Sequence, residues 1–371
     1  MGDKAIMKGN EALAETTVRV GCRFFSGYPI TPQTEVLEYL SWRMPEVGGT
    51  LVQTEDEITG LHMVLGAASA GARCLSTSAG PGFALFQEGI SYLAANDLPA
   101  VIIDVMRIGS GLGDIFMGQG DYWQLTRGGG HGDYRTIVLA PNSVQENVET
   151  VQLAFDLAEK YLHPVIIASD AGIGQMMEPV ELPDFKDHDI NKFDWAVRGC
   201  KEDEPMRACQ NIYYAKHSTD GINGRGHHND ITTCGDGPEQ WERFNLDLQA
   251  KFAKIRENEQ RWESYQVEDA EVVLVAYGSS SRVAKDTVDT AREQGFKLGL
   301  IRPITLWPFP KKAFAEAKAA KAFCTVEVNI LGQMVDDVKL ATEGKFPVGF
   351  AGNFFAIPDP DEIIATAKAL L

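Results

Sequence analysis

Gly27-Tyr28-Pro29-Ile30-Thr31-Pro32-Gln33-Thr34-Glu35 reads as a strand that ends in a tight turn and opens a helix. Thr31 suits the N-cap, and Pro32 suits the first helical position, where a missing N–H costs nothing. A helix opened this way aims backbone N–H groups and a partial positive charge at whatever lies above Thr31, a place fit for a carboxylate. Just downstream, Glu55-Asp56-Glu57 sets three acids before a helix of small residues. Such acids complement a helix N-terminus. A carboxyl in an apolar pocket can also keep its proton and share it with a neighbouring base. Arg107 ends the apolar run 98–106, at the strand edge where α/β sheets bind ligands. A guanidinium there can grip a carboxylate with two parallel hydrogen bonds, or pair with Asp104 or Asp114.

Gly109-Ser110-Gly111-Leu112-Gly113-Asp114-Ile115-Phe116-Met117-Gly118-Gln119-Gly120 follows directly. It lacks the lysine and spacing of a phosphate loop. Ile115, Phe116 and Met117 instead fit the wall of an apolar side-chain pocket, or an ordinary surface loop. His131 lies in a glycine-rich segment with Arg127 and Arg135, where it could meet a second carboxylate or a partner chain. Cys200, Cys209, His217, His227, His228 and Cys234 have no spacing typical of zinc ligands.

The elements that must position these residues alternate. Helices are expected at 11–20, from Thr31, at 57–71, 83–96 and 143–162, the last opened by the capping box Ser143-Val144-Gln145-Glu146. Strands are expected at 22–26, 51–53, 73–78, 98–107 and 164–169, with Val101-Ile102-Ile103 the most apolar run. This alternation predicts an α/β domain with a largely parallel sheet over residues 1–183. Residues 184–240 lose all periodicity and read as an arm that could wrap a neighbouring chain. Phe244, Leu248, Phe252 and Ile255 then recur at helical spacing in the charged run 239–268, which predicts an amphipathic linker helix. A smaller α/β unit follows over 269–371, with strands at 272–276, 298–302 and 323–328 and a helix at 278–295.

Composition narrows the class. The chain has 371 residues, 44% of them hydrophobic, enough for a large core and two or three domains. A formal net charge of −18 argues against nucleic acid and against an anionic membrane surface. No apolar run reaches membrane-spanning length, and Met1–Lys8 has no apolar signal core, so a cytoplasmic protein is expected. The six cysteines form no C-x-x-C pair, so an iron–sulfur cluster is expected only on another chain.

The order of Tyr28-Pro29-Ile30-Thr31-Pro32, Glu57-Ile58-Thr59-Gly60 and Thr77-Ser78-Ala79-Gly80-Pro81-Gly82-Phe83 with Gln87-Glu88 resembles the α subunit of thiamine-diphosphate-dependent 2-oxoacid:ferredoxin oxidoreductases. Gly129-Gly130-His131-Gly132-Asp133-Tyr134, Leu300–Pro310 and Val326-Glu327-Val328-Asn329 with Gly332-Gln333-Met334-Val335 are similar to the same family. The resemblance covers nearly the whole chain. It implies two open, largely parallel-sheet α/β domains, a thiamine pyrimidine-binding domain and a transketolase C-terminal-like domain. Glu57 would then activate the cofactor ring with Pro29 beside it. Thr31 and Arg107 would hold the substrate carboxylate, with Ile30, Ile115 and Phe116 shaping the substrate pocket.

The implied reaction turns a 2-oxoacid, coenzyme A and oxidised ferredoxin into an acyl-CoA, carbon dioxide and reduced ferredoxin. The resemblance is greatest to the 2-oxoisovalerate type. The 2-oxoglutarate type is the alternative, and it needs a second cation such as Arg127, His131 or Arg135. Gly235-Asp236-Gly237 resembles the start of a diphosphate-and-magnesium motif, but it follows no buried strand and lacks the later asparagine. Thiamine diphosphate would therefore be shared with a β subunit that holds its diphosphate and Mg2+. A γ subunit and a ferredoxin-like subunit with 4Fe-4S clusters would complete the assembly. Two other readings stay open: a scaffold subunit without chemistry, and a thiamine enzyme subunit that uses another electron acceptor.

Overall fold

The computed structural model describes residues 3–190, 193, 196 and 238–371. Strands with apolar residues on both faces must lie between helix layers, and these strands build two sheets. The larger runs in the order β13 (Thr305–Trp307), β7 (Ile137–Leu139), β8 (Pro164–Asp170), β5 (Ala100–Ile108), β4 (Cys74–Ser78), β2 (Phe24–Gly27) and β3 (Thr50–Gln53). From β7 to β3 the pairs are parallel, while β13 runs antiparallel to β7. The short strand β6 (Asp114–Met117) pairs antiparallel with the end of β5. Every residue of β4, β5 and β8 is buried.

The second sheet has the order β10 (Trp262–Tyr265), β12 (Leu298–Pro303), β11 (Val272–Ala276), β14 (Ala322–Glu327) and β15 (Val348–Gly352), parallel except for β10. A third, two-stranded ribbon joins β1 (Asp3–Lys8) to β9 (Met177–Leu182). Helices α1 (Gly9–Arg19), α2 (Thr34–Glu46), α3 (Glu57–Ser69), α4 (Pro81–Leu85), α5 (Gln87–Ala95), α6 (Tyr122–Arg127), α7 (Val144–Tyr161) and α8 (Ala171–Gln175) accompany the first sheet. The fold is thus α/β with largely parallel sheets.

Helix α9 (Pro238–Asn258) lies between the two sheets in sequence, and α10 (Gly278–Glu293), α11 (Val335–Ala341) and α12 (Pro360–Lys368) follow it. Phe244, Leu248, Phe252 and Ile255 of α9 are all buried, as their spacing requires. Phe252 meets His163 and Trp307 edge-on, with ring centroids 5.3 and 5.6 Å apart. One continuous core runs from Leu13 and Ile103 through Phe252, Trp307 and Ile301 to Val338, so the two sheets share it.

The charged run 239–268 is only partly helical. Beyond Asn258 the chain becomes β10, an edge strand on β12. Its polar side chains find cross-sheet partners: Glu263 pairs with Arg302 at 3.0 Å, and Trp262 Nε1 donates to Glu316 at 3.0 Å. The start of the predicted arm rests on its own chain, where Phe185 lies under the Arg19 and Arg43 guanidiniums and Lys186 N donates to Arg19 O. The six cysteine and histidine positions considered for zinc, and Gly235-Asp236-Gly237, lie outside the described residues. Among the described residues no helix is long and apolar enough to cross a membrane.

Candidate active site

The chemistry-bearing residues sit on connections at the C-terminal edge of the first sheet, where parallel strands deliver loops and helix starts to one place. After β2 the chain turns through Tyr28–Gln33, and Gln33 N donates to Ile30 O at 3.0 Å. Gln33 pins this turn: its Nε2 donates to Tyr28 O at 3.0 Å, and its Oε1 accepts from Thr77 at 2.6 Å. Thr31 is not the N-cap of α2, which starts three residues later with Gln33 in the cap position. The reason is tertiary. Pro32 O accepts from Asn10 Nδ2 at 2.6 Å and from Gln175 Nε2 at 3.1 Å, side chains that sequence spacing cannot reveal. The Thr31 side chain is exposed and its carbonyl accepts from Arg107 Nη1 at 2.7 Å, so the structure brings these two predicted residues together.

Glu57 is the first residue of α3, with Asp56 as N-cap accepting from Thr59 N at 2.7 Å. The Glu57 side chain turns inward and is 5% exposed. Ser78 Oγ, at the end of β4, donates to its Oε1 at 3.3 Å. The next turn gives the carboxyl room only because residue 82 is glycine, since a Cβ there would lie 2.1 Å from Glu57 Oε1 and 2.1 Å from Ser78 Oγ. Gly80, at φ +41°, starts the same turn, and a Cβ there would lie 3.5 Å from Arg107 Cγ and 3.7 Å from Asp121 Oδ2. Glu57 and Arg107 therefore flank the two ends of the Gly80-Pro81-Gly82 turn.

Arg107 lies within β5 and is buried. Its Nη2 donates to Leu112 O at 2.6 Å, while Nε is buried without a partner. Among the described residues no carboxylate, Asp104 and Asp114 included, lies within ion-pair distance of it. Arg107 opens into a cavity of about 750 Å³ whose walls come from both halves of the chain. Gly80, Asp121 and Trp123 line one side, and Ile330, Leu331 and Phe354 reach in from the second sheet. Arg107 is the one cation among the described residues that line it.

The 118–124 and 328–334 segments are laced together. Gln119 N donates to Val328 O at 2.7 Å, Val328 N to Gln119 Oε1 at 3.0 Å, and Trp123 Nε1 to Gln333 O at 2.9 Å. Glu327 and Asn329 shape that turn by accepting from Met334 N at 3.0 Å and Gly332 N at 2.7 Å.

Other predicted residues are placed elsewhere. Ile115 and Phe116 are 52% and 61% exposed and do not line the cavity. Only the ends of β6 pair with β5, so its middle side chains stand clear of the sheet. Pro29 and Ile30 are half-buried and lie outside the lining. Arg127 is held by Asp337 at 2.9 Å, and Arg135 Nη1 donates to the carbonyls of Arg127 and Tyr134. His131 opens on a separate hollow beside α5 and α9. Sequence reading missed Asp121, Ile330, Leu331 and Phe354. A partial signal existed, since Ile330 and Leu331 lie inside the Val326–Val335 motif.

Burial sets the electrostatics around the site. It pushes the fully buried Asp104 carboxyl well above the usual range, and neighbouring Asp121 adds to this. Burial raises Asp121 to about 6, against a hydrogen bond from Gln124 and the charge of Arg107. Asp170 and Glu327, buried at the junction with the second sheet, are raised by burial as well.

The structure is a two-sheet α/β frame with a buried glutamate and a buried arginine at one sheet edge. The family described as pyruvate flavodoxin/ferredoxin oxidoreductase, thiamine-diphosphate-binding, matches residues 15–230, and the core domain II of pyruvate:ferredoxin oxidoreductase matches 270–356. The chain belongs to this 2-oxoacid:ferredoxin oxidoreductase family and is an enzyme subunit. It is 48% identical to the ketoisovalerate oxidoreductase subunit VorB of Methanothermobacter marburgensis, over 91% of this chain and 89% of that one. It is 37% identical to the 2-oxoglutarate synthase subunit KorA of Methanocaldococcus jannaschii, over 90% of each.

Among solved structures, the 2-oxoglutarate:ferredoxin oxidoreductase of Magnetococcus marinus, with 2-oxoglutarate, coenzyme A and succinyl-CoA bound, superposes with a TM-score of 0.81 at 28% identity. The match covers 99% of this chain and 65% of that one. A split-gene transketolase shares the fold alone, with a TM-score of 0.56 at 12% identity.

The residues fit half of a thiamine diphosphate site. A buried glutamate held in a glycine cradle suits the aminopyrimidine ring, and the unpartnered Arg107 Nε suits an anion next to it. Among the described residues no three His, Cys, Asp or Glu side chains gather as a metal site.

Proposed function

We propose that the chain is the substrate- and ring-binding subunit of a branched-chain 2-oxoacid:ferredoxin oxidoreductase, with 2-oxoisovalerate as the preferred acid. Residues 1–183 would form the pyrimidine-binding domain and 269–371 the transketolase C-terminal-like domain, joined by 184–268. The observation that carries this reading is the pairing of Glu57 and Arg107 across one glycine-rich turn at the sheet edge.

The chemistry supplied by bound thiamine diphosphate is stabilisation of the carbanion left when carbon dioxide departs. Glu57 would hold the aminopyrimidine ring by sharing a proton with it, with Pro29 nearby. Arg107 has spent one hydrogen of Nη1 on Thr31 O and one of Nη2 on Leu112 O. Its remaining N–H groups, with Nε, hold the substrate carboxylate in one plane until it leaves. Thr31, whose carbonyl holds Arg107, and its neighbour Ile30 would approach that carboxylate from the turn after β2. The acid's side chain faces Ile330, Leu331 and Phe354. Among the described residues that line the cavity, a 2-oxoglutarate side chain would find no second cation, which favours the branched-chain reading.

A β subunit would supply the diphosphate and Mg2+ site. A γ subunit and a ferredoxin-like subunit would supply the remaining domain and the 4Fe-4S clusters. Ferredoxin would take the electrons in the cytoplasm. The test is viologen reduction by the natively purified assembly, dependent on coenzyme A and thiamine diphosphate, over a panel of 2-oxoacids. Fastest turnover with 2-oxoisovalerate is expected. Fastest turnover with 2-oxoglutarate would overturn the pocket argument.

A further inference from the structure

One buried group beside Arg107 has no role in that scheme. Asp121 stands at the start of α6, in the wall of the Arg107 cavity. Gln124 Nε2 donates to its Oδ1 at 2.6 Å, but its Oδ2 is buried with no partner. Arg107 Nε is likewise buried with no partner. Both atoms lie within 4.0 Å of the point where a Gly80 Cβ would stand, so both border the space that the glycine leaves open. A substrate carboxylate drawn to Arg107 therefore arrives beside a second, competing carboxylate.

We propose that Asp121 is a specificity-determining residue: its free carboxylate oxygen competes with the substrate's carboxylate for Arg107 and repels an acid that carries a second carboxylate. This rests on the reading of Arg107 as the substrate's anchor.

The groups that face Asp121 come from several elements. Asp104 and Arg107 project from β5, Gln124 lies one turn on in α6, and Tyr277 follows β11 of the second sheet. Burial pushes Asp104 well above the usual carboxylate range, and its Oδ1 accepts from Gly80 N at 3.2 Å while Oδ2 is unpartnered. Burial raises Asp170 and Glu327 also, and Tyr277 well above its ordinary range. Burial raises Asp121 to about 6, so it changes charge near neutrality. Below that value it is neutral and Arg107 acts alone. Above it the carboxylate opposes an incoming anion, so substrate affinity falls as pH rises. A charge at this range in a partly buried site is worth on the order of tenfold in affinity.

The experiment measures KM and kcat for 2-oxoisovalerate and 2-oxoglutarate on the intact assembly from pH 5 to 8. Calorimetric titration with 2-oxoisovalerate in buffers of different ionisation enthalpy accompanies it. The wild type is expected to show KM rising about tenfold across pH 6, more steeply for 2-oxoglutarate, with proton uptake on binding. In Asp121→Asn the rise and the proton uptake should vanish, and the preference for 2-oxoisovalerate over 2-oxoglutarate should shrink about tenfold. Asp121→Glu should restore the pH dependence. A flat wild-type KM, or a rise that survives in Asp121→Asn, overturns the proposal. If Asp121→Asn fails to assemble, Asp121→Ser and the wild-type proton uptake decide, and absence of uptake overturns it. Turnover with a pH-independent KM defeats this inference alone, whereas no turnover with any 2-oxoacid defeats the functional reading beneath it.

Discussion

Gly82 offers a direct way to move Glu57 without removing it. A Cβ at residue 82 would lie 2.1 Å from Glu57 Oε1, 2.1 Å from Ser78 Oγ and 2.7 Å from Glu57 Cδ. To restore even a 3.0 Å separation, the carboxyl must retreat by about 0.9 Å. Both near oxygens are the ends of side chains, so the fold can give way locally. Overpacking of this kind costs about 1–3 kcal/mol, and the lower end is expected here. A shift near 1 Å in a catalytic group costs about a hundredfold in rate, or about 2.7 kcal/mol of barrier. In Gly82→Ala the assembly should form and melt within a few degrees of wild type, while thiamine-dependent viologen reduction falls about a hundredfold. Turnover within twofold of wild type in a folded Gly82→Ala complex would refute the idea that the position of the Glu57 carboxyl governs the reaction.

Further perturbations follow from the same contacts. Arg107→Lys replaces a planar fork with a point charge that cannot serve Thr31 O and Leu112 O together, so KM for the 2-oxoacid should rise at least about tenfold in steady-state assays. Phe252→Ala empties the junction between His163 and Trp307 and should cost about 3–5 kcal/mol in denaturant unfolding of the isolated chain. Burial raises Asp104, Asp170 and Glu327. Their contribution is therefore complete below the ordinary carboxylate range and is lost as pH rises through their folded values. Burial also pushes Glu15 upward, but Arg43 and Arg19 outweigh it and hold its carboxyl low, so its contribution is lost on acidification. Thermal melts from pH 4 to 9 should thus peak in mildly acidic buffer, and Asp104→Asn should flatten the alkaline limb. A melting temperature that climbs steadily from pH 5 to 9 would contradict these signs.

What the sequence disclosed follows the range of the interactions involved. Local patterns were legible: Phe244, Leu248, Phe252 and Ile255 do face the core, and Val101-Ile102-Ile103 does lie in a central strand. Asp56 and Glu57 at the head of a small-residue helix were legible too, because capping is a short-range effect. Thr31 misled because acceptors that decide a helix start can be claimed by distant donors, here Asn10 and Gln175. The charged run after Asn258 gave no strand signal, since β10 gains its partners from distant elements: β12, Glu316, Lys285 and Asp289. The apolar cavity wall was sought in Ile115 and Phe116, next to Arg107 in sequence. The structure supplies it from Ile330, Leu331 and Phe354, more than two hundred residues further on, where periodicity says nothing about proximity.

The central claim is that this chain contributes chemistry, not only a frame for its partners, and Glu57→Gln tests it most directly. Glutamine keeps the shape but cannot share an acid proton with the cofactor ring. The assembly carrying Glu57→Gln should form with its clusters and thiamine diphosphate in place, yet reduce viologen with 2-oxoisovalerate and coenzyme A at least about a hundredfold more slowly than wild type. Undiminished turnover from that intact assembly would contradict the account and make the chain a scaffold.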